Sequence, residues 1–305
     1  MKDDQAQAAP FNDSLDDIPE PHWSVRMLRS LGQNKSAQLG VLILSLVVFA
    51  SLFAPYISPM DPDDQSLTRV MRPPFWQGEG HIFILGTDHL GRDLLSRLIY
   101  GARISLIVGL TATVMAGRIG LMLGLLAGYY GGKIDYLIMR LVDFVLSFPF
   151  ILLALAAIGI LGPSLMLIVI LISLRQWTIY ARIVRGNVLS LREQEYIIAS
   201  RSIGGSNLRI ITRHILPNVV APVIIIGSLY LGRLIVIEAG LSFLGLGVPP
   251  PTPTWGGLLA EGRSYLYVSW WIVTFPGLAI SFTVLGSNLV GDWLRDVLDP
   301  RLRTR

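Results

Sequence analysis

The sequence predicts an all-α polytopic membrane protein with six transmembrane helices. Of its 305 residues, 52% are hydrophobic and only 15% are charged, which is too apolar for a typical soluble domain. A helix that crosses the hydrocarbon core of a bilayer needs about 20 mostly apolar residues. Six such runs follow one another along the chain, at residues 39–56, 104–129, 141–161, 164–181, 219–237 and 270–290.

The first run follows a polar lead with no small-residue cleavage site in the expected place. We expect it to be a retained anchor, and a removed signal peptide is the alternative. The lead is acidic and rich in Ala and Pro at its start, so we expect it to be partly disordered. The chain then divides into a cytoplasmic tail at 1–38, a first span with a long extracytoplasmic loop at 39–100, and a core with five spans at 101–305, which includes a polar loop at 182–217.

Local signals predict how the spans begin, bend and pack. An amphipathic pattern from Asp93 onward predicts a helix that leads into the second span. Pro149 and Pro276 each remove a backbone hydrogen bond and are expected to kink the third and sixth spans. Gly162 and Pro163 predict a tight turn between the third and fourth spans. Glycines at four-residue spacing allow close helix approach, within this chain or with a partner, and they are Gly120, Gly124 and Gly128.

The distribution of positive charge predicts that both termini are cytoplasmic. With that orientation, sixteen of the 25 Lys and Arg residues lie in cytoplasmic segments and six lie outside, in agreement with the positive-inside rule. The other three, Arg118, Arg175 and Arg233, fall within predicted spans. Snorkelling or pairing is the favoured explanation of Arg175 and Arg233, whereas Arg118 lies nearest the middle of a span and is the better candidate for a water-filled cavity.

Other polar and aromatic side chains have structural explanations. Arg140 and Asp143 are three residues apart on one predicted helix and are expected to form an ion pair. Glu238 lies near the outer end of the fifth span, where packing or capping is as plausible as substrate contact. Three tryptophans are expected to lie at the membrane interface, namely Trp255, Trp270 and Trp271.

The residue patterns of common catalytic and cofactor sites are missing from the sequence. There is no Cys, and the four His residues are scattered, which argues against disulfides and metal clusters. The nearest phosphate-binding pattern, YYGGK at 129–133, lacks its first glycine and the Ser or Thr that coordinates magnesium. We therefore expect no catalytic residue, no metal or cofactor in this chain and no nucleic-acid partner.

The polar stretch EYIIASRSIGGSNLRIITRHILPN, at 195–218, predicts two short helices joined by a turn. The first presents Tyr196, Ala199, Ser200 and Ile203 on one face. Gly204 and Gly205 permit the left-handed turn that follows. The second helix is expected to be capped by Ser206, to present a stripe of Leu208, Ile211 and Ile215, and to stop at Pro217. Such a hairpin either binds a groove on another protein or covers the end of its own bundle.

The same stretch resembles the signature cytoplasmic loop of permease subunits of binding-protein-dependent ABC importers. Two Ala residues, a Gly and a final Leu-Pro recur in that loop. The corresponding residues here are Ala199, Ser200, Gly204, Leu216 and Pro217. Ser200 replaces the second Ala, and Ile198 replaces the usual acidic residue. Further segments, among them LGTDHLGRDLLSRLIYGARISL and GDWLRDVLDPRLR, resemble the second permease of dipeptide, oligopeptide and nickel importers over nearly all of the chain after Leu39.

The resemblance implies a type I ABC importer permease fold with a cytoplasmic coupling helix, in a bacterial inner membrane. The implied partners are a homologous permease, two ABC ATPase subunits, an extracytoplasmic solute-binding protein and membrane lipid. ATP and magnesium would be bound by the ATPase subunits. The expected contact or turn residues of the coupling loop are Glu195, Tyr196, Ala199, Ser200, Gly204, Gly205, Leu208, His214 and Pro217.

The implied activity is uptake of di- or oligopeptides, driven by ATP hydrolysis in the partner subunits. Nickel or another small solute is an alternative, and a carrier driven by an ion gradient is disfavoured because the spans contain no regular spacing of acids. Arg118 and Arg233 occupy places that are usually small or apolar in this family. One hypothesis is that one of them faces the pathway and binds a carboxylate, with Glu238 as a third possible pathway residue.

Overall fold

The computed structural model describes residues 23–298, which contain twelve α-helices, one β-hairpin, two short 3-10 helices and one π-helical turn. The expected disordered start and the last seven residues lie outside this part. Strands β1 (Trp76–Gly78) and β2 (His81–Phe83) pair antiparallel within the long loop. The helices are α1 (Trp23–Gln33), α2 (Lys35–Leu52), α3 (Ala54–Ile57), α4 (Leu94–Tyr130), α5 (Gly132–Ser147), α6 (Phe150–Leu161), α7 (Leu165–Arg192), α8 (Glu195–Ser202), α9 (Asn207–Ile210), α10 (Leu216–Phe243), α11 (Trp255–Gly262) and α12 (Trp271–Leu298).

The six predicted spans correspond to helices in the structure. Five stretches between residues 23 and 298 are long and apolar enough to cross a membrane, and they are α2, α4, α7, α12 and a stretch from α9 through α10. The remaining predicted span, at 141–161, falls on α5 and α6, which are apolar enough only when taken together and meet at an angle of 81°. Pro149 lies directly before α6, so the predicted kink in this span is confirmed as a break. Pro276, by contrast, lies inside α12, which continues as one helix on both sides of it.

Helix α4 is both the predicted amphipathic helix and the second span. The carboxylate of Asp93 caps it by accepting the backbone N–H of Ser96 at 2.8 Å. Its 37 residues give a length of roughly 55 Å at about 1.5 Å per residue. The Ser96 hydroxyl accepts a hydrogen bond from the backbone N–H of Met60, and Tyr129 donates one to Asn207. We therefore call the two ends of the bundle the loop end, which carries residues 58–93, and the hairpin end, which carries residues 193–215.

The glycine stripe of α4 packs against α7 within the chain. A Cβ added at Gly124 would lie 2.7 Å from the Ala181 carbonyl oxygen, and one at Gly128 would lie 2.7 Å from the Val188 Cβ. Gly120 makes the same kind of approach to Tyr180. Real Cβ atoms do not come this close to such neighbours. The glycines therefore let the two helices approach to backbone contact, and the stripe is an intrachain packing surface.

Replacing Gly124 by Ala is expected to force α4 and α7 apart. The added methyl group would meet both the Ala181 carbonyl and the Val184 side chain, and overpacking of this kind costs about 1–3 kcal/mol. Thermal unfolding of the detergent-solubilised protein measures the effect. The matched control is Gly186→Ala on α7, where a Cβ meets nothing within 4 Å and loss of a helical Gly stabilises slightly. Equal midpoints for the two variants would contradict the packing.

Helix α10 lies between α4 and α12. A Cβ at Gly109 of α4 would come within 2.9 Å of Ile235, and one at Gly232 of α10 would come within 3.0 Å of the Val284 backbone. Helix α2 in turn approaches α12, because a Cβ at Gly40 would lie 3.0 Å from the Gly286 carbonyl oxygen. Small residues thus set the spacing along the whole row of helices.

The expected ion pair between Arg140 and Asp143 is wrong. The Asp143 carboxylate instead accepts a hydrogen bond from Arg182 of α7 at 2.6 Å. Arg140 donates to the hydroxyl of Tyr136, and its guanidinium lies 5.3 Å from the centre of that ring. Packing of α5 against α7 brings Asp143 a partner that the spacing within α5 could not reveal.

The expected interfacial position of the tryptophans is wrong for two of the three. Trp255 and Trp271 are buried in the apolar core at the loop end. Their indole N–H groups donate to the carbonyl oxygens of Leu98, at 3.0 Å, and of Thr87, at 3.1 Å. Only Trp270 of the three is exposed. The buried pair joins the long loop and α4 to α11 and α12, so these tryptophans are structural.

Candidate functional site

The turn between α8 and α9 has the predicted geometry. Gly204 adopts a φ of +83°, which L side chains rarely adopt, and open space surrounds it. The N–H of Gly205 donates to the Ser200 carbonyl at 2.9 Å and closes the turn. The Ser206 hydroxyl accepts the N–H of Arg209 and caps α9, as expected.

The second half of the hairpin is not a separate short helix. After α9 the chain forms a π-helical turn at Ile211–Ile215 and continues directly into α10. The expected stop at Pro217 is wrong, because Pro217 lies in the first turn of α10. Proline is tolerated in the first turn of a helix, because the backbone N–H that it lacks would have no partner within the helix. The backbone N–H of Leu216, directly before it, donates a hydrogen bond to the carbonyl oxygen of Ile211, five residues earlier. The hairpin is therefore continuous with a membrane helix.

Buried side chains attach the hairpin to the rest of the bundle. Ile197 of α8, Ile210 of α9 and Ile215 of the π-helical turn are fully buried. They pack in one cluster with side chains from the ends of α4 and α7, including Val184 and Val188. The Tyr129 hydroxyl bonds the Asn207 side chain at 2.8 Å and adds a polar contact. The hairpin thus has a fixed position on the ends of three membrane helices.

Apolar side chains on the other side of the hairpin are exposed. Ile203 is 87% exposed and Leu208 is 72% exposed, and Tyr196 and Ile198 are also exposed. Several exposed apolar side chains on one rigid element are typical of binding surfaces. We call these four residues, with Ala199, the exposed hairpin surface.

The structure divides the predicted hairpin residues between this surface and the interior. The expected stripe of Leu208, Ile211 and Ile215 does not form, because Leu208 is exposed whereas Ile215 is buried. The π-helical turn between them changes the residue spacing, so a period of 3.6 does not extend across it. Of the other predicted residues, Glu195 and Pro217 are exposed, and those that are half-buried are Ser200, Gly205 and His214.

The three candidate pathway residues lie in different surroundings. Arg118 and Arg233 are exposed, and the Arg233 guanidinium lies 5.4 Å from the centre of the Tyr230 ring. Arg118 lies beside the groove between α4 and α10, whereas Arg233 lies beside the groove between α10 and α12. Glu238 is fully buried and accepts a hydrogen bond from Ser242 at 2.7 Å. Its other carboxylate oxygen, Oε2, is buried with no hydrogen-bond partner among the described residues.

A buried ionic cluster at the loop end was not predicted. Asp88 accepts Arg92 at 2.6 Å and Arg97 at 2.8 Å, and Glu261 of α11 accepts both arginines, at 2.8 Å and 2.6 Å. Two guanidinium groups and two carboxylates give a neutral set, which is the condition for burying charges at tolerable cost. Arg92 and Arg97 are two of the six Lys and Arg residues that the charge distribution places outside the membrane, and the charged segment before the second span was the only signal of the cluster in the sequence.

Comparison with known proteins identifies the family. Residues 120–304 match the family described as the binding-protein-dependent transport system inner membrane component. The chain belongs to this family. Residues 23–74 of the permease also match the N-terminal transmembrane domain of oligopeptide transport permease C. The permease is thus an importer subunit of the inner membrane, as the sequence predicted.

Several peptide transport permeases are similar to this permease over most of its length. It is 46% identical to the di/tripeptide transport system permease protein DppC of Pseudomonas aeruginosa, over 90% of this chain and 91% of that protein. It is also 46% identical to the dipeptide transport system permease protein DppC of Escherichia coli K12, over 89% of this chain and 91% of that protein. A putative peptide transport system permease protein of Brucella abortus is 43% identical to this chain, over 97% of this chain and 98% of that protein.

A solved structure confirms the fold. A chain of the inward-facing MetNI methionine ABC transporter superposes with a TM-score of 0.55, over 67% of the permease and 97% of that chain. The sequences are 21% identical, so this likeness concerns the fold alone. The predicted all-α importer permease fold of type I is confirmed.

Proposed function

We propose that this permease forms, with a homologous permease, the pathway through which an ABC importer takes up di- or oligopeptides. The named relatives, which are dipeptide, di/tripeptide and peptide permeases at 43–46% identity, support a peptide substrate. Two ATPase subunits bind ATP and magnesium, and an extracytoplasmic binding protein delivers the peptide. Both termini and the hairpin then face the cytoplasm, in agreement with the positive charge of the segments on that side.

The exposed hairpin surface is the observation that most directly supports an ATPase partner. Four apolar side chains are exposed on an element that is itself fixed by buried isoleucines. A helix with such a face fits a hydrophobic groove on another protein. The alternative, a hairpin that only covers its own bundle, would leave Ile203 and Leu208 without a reason to be apolar.

Continuity of the hairpin with α10 supports a mechanism of coupling. The hairpin is joined through covalent backbone to α7 on one side and to α10 on the other. When the ATPase subunits approach each other on binding ATP, a displacement of the hairpin is passed on to both helices as a rigid-body movement. That movement alternates the side of the membrane to which the pathway opens.

Transport by the reconstituted complex tests the function. Vesicles that contain both permeases and the ATPase subunits are supplied with the binding protein and labelled dipeptide, with or without ATP. We expect ATP-dependent peptide uptake and no uptake of nickel. Nickel uptake without peptide uptake would contradict the substrate, and peptide uptake in vesicles without ATP would contradict the ABC mechanism.

Replacing Leu208 by Glu is expected to weaken binding of the ATPase subunits. Leu208 is 72% exposed, so the variant leaves the bundle intact but places a charge in the proposed apolar interface. We expect copurification of the ATPase subunits with the permease to fall at least tenfold. The matched control is Leu67→Glu, at an exposed Leu of the loop end, which is expected to copurify normally. Undiminished copurification of the Leu208 variant would exclude this residue from the interface.

A further inference from the structure

A serine of α12 bonds the backbone of α10 near the middle of that helix. The hydroxyl of Ser287 accepts a hydrogen bond from the N–H of Gly232 at 3.2 Å and donates one to the carbonyl oxygen of Ser228 at 2.6 Å. An α-helix pairs these two backbone groups with each other, because they are four residues apart. A side chain from a neighbouring helix thus enters the hydrogen-bond ladder of α10, and insertion of this kind is a known cause of helix bending. We call the three residues the serine bridge.

The serine bridge depends on close approach of α12 to α10. A Cβ at Gly232 would lie 3.0 Å from the Val284 Cα and 3.3 Å from the Ser287 Cβ, so a larger residue would hold the two helices apart. Ser287 is 1% exposed. Water therefore has little access to the two backbone groups, and the serine is the group that can bond them.

The packing of α10 changes at the serine bridge. From there to the end of the helix seven residues are buried, namely Gly232, Leu234, Ile235, Glu238, Ala239, Leu241 and Ser242. Within 220–231, a stretch that the structure describes completely, no residue is buried. Parts of a protein with few buried contacts move more readily than well-packed parts. The bridge thus lies where a fixed part of α10 meets a part that is free to move.

The less buried stretch has space beside it and a second weak point. One side of it lines the groove between α4 and α10, with a volume of about 370 Å³, and another lines a groove of about 550 Å³ between α7, α10 and α12. Pro222 has no N–H, so the carbonyl oxygen of Asn218 lacks its usual helical partner. Residues 222–232 therefore begin and end at places where the regular hydrogen-bond ladder is altered, and we call them the α10 joint.

We propose that α10 bends within the α10 joint as the pathway opens and closes, and that Ser287 is a positioning residue that keeps the bent backbone hydrogen-bonded. Bending moves the Ser228 carbonyl away from the Gly232 N–H, and the serine hydroxyl can still bond both groups. In membrane helices, Ser side chains satisfy backbone groups that a break sets free. This inference rests on the proposed coupling of the hairpin to α10 and adds to it the place at which the helix bends.

Distances between spin labels test the bend directly. The chain has no Cys, so an introduced Cys can be labelled selectively within it. One label is placed by Leu278→Cys on α12, and the other by Ile224→Cys in the α10 joint or by Val236→Cys in the packed part, all at exposed positions. The distances are measured in the reconstituted complex without nucleotide and with ATP and vanadate.

The two label pairs are expected to respond differently to the nucleotide. A tilt of about 20° at Gly232 displaces Ile224, which lies about 12 Å away along the helix, by about 4 Å. We therefore expect the distance from Leu278 to Ile224 to change by about 2–4 Å and the distance from Leu278 to Val236 to change by less than about 1 Å. Distances that change equally, or not at all, would overturn the bend.

Replacement of Ser287 by Ala tests the part of the hydroxyl. We expect Ser287→Ala to lower maximal peptide uptake about threefold to tenfold, because a bent α10 would then contain two buried backbone groups without partners. The matched control is Thr283→Val, one turn away, which removes a buried hydroxyl that donates to Ala279 of its own helix. We expect the control to change uptake less than twofold, and we expect normal copurification of the ATPase subunits with both variants, because neither residue belongs to the hairpin.

The outcomes separate the bend, the serine and the proposed function. Uptake by Ser287→Ala equal to that of the control would overturn the part of the serine. The label distances require no change at Ser287, so they decide the bend even if that variant is unstable. Absence of peptide uptake in the wild-type complex would instead overturn the proposed function.

Discussion

Gly204→Asp is expected to abolish uptake while the permease still inserts into the membrane. Gly204 has a φ of +83°, and forcing an L side chain into this region costs about 1–2 kcal/mol. The new carboxylate also directly follows Ile203, a residue of the exposed hairpin surface. Because the site is outside every span, the amount of protein in the membrane is expected to be normal. Peptide uptake and copurification of the ATPase subunits are the measurements.

Gly162→Asp is the matched control for this variant. Gly162 has a φ of +80°, open space also surrounds it, and it too ends a helix. It lies in the turn between α6 and α7, at the loop end of the bundle. We expect this variant to retain uptake, since the strain is similar but no ATPase contact is affected. Similar loss in both variants would mean that backbone strain, and not the hairpin surface, accounts for the Gly204 result.

Arg97→Met is expected to destabilise the permease by about 3–5 kcal/mol. Arg97 is 1% exposed and bonds both Asp88 and Glu261. Without it, two carboxylates share only Arg92, so one buried negative charge is left without compensation. The midpoint of thermal unfolding of the detergent-solubilised variant is expected to lie about 10 °C or more below that of the wild type.

Arg182→Met shows what loss of an exposed ion pair costs. Arg182 bonds Asp143 at 2.6 Å, a distance as short as those in the buried cluster, but both side chains are about half exposed. An exposed pair contributes about 1 kcal/mol or less, so this variant is expected to unfold within about 3 °C of the wild type. If Arg97→Met unfolded at the same midpoint as Arg182→Met, the buried cluster would contribute no more to stability than an exposed ion pair does.

Features that depend on neighbouring residues could be predicted from the sequence. The six spans follow from hydropathy, which is a property of each segment alone. The turn at Gly204, the cap at Ser206 and the break at Pro149 follow from the backbone preferences of single residues. The glycine stripe of α4 could be recognised, although only the structure identifies α7 as the helix against which it packs.

Features that depend on distant residues could not be predicted. Arg97 and Glu261 are 164 residues apart, and no local pattern indicates that they meet. The prediction of an ion pair between Arg140 and Asp143 was wrong for the same reason, because the residue that pairs with Asp143 is Arg182 of another helix. At the hairpin, a single π-helical turn was enough to change which face of the second segment is exposed. The exposed hairpin surface was therefore predicted in part, through Tyr196, Ala199, Ile203 and Leu208, whereas Ile198 was not predicted.

Close contact between α4 and α7 has a consequence for how the two sides of the membrane communicate. Helix α4 reaches from the hairpin end to the buried ionic cluster, and backbone contact along the glycine stripe stiffens its hairpin half against α7. For a rod of roughly 55 Å, a tilt of about 10° moves one end by about 10 Å relative to the other. A small rotation at the ATPase is thus sufficient to displace the opposite mouth by the width of a helix, without any change in internal packing.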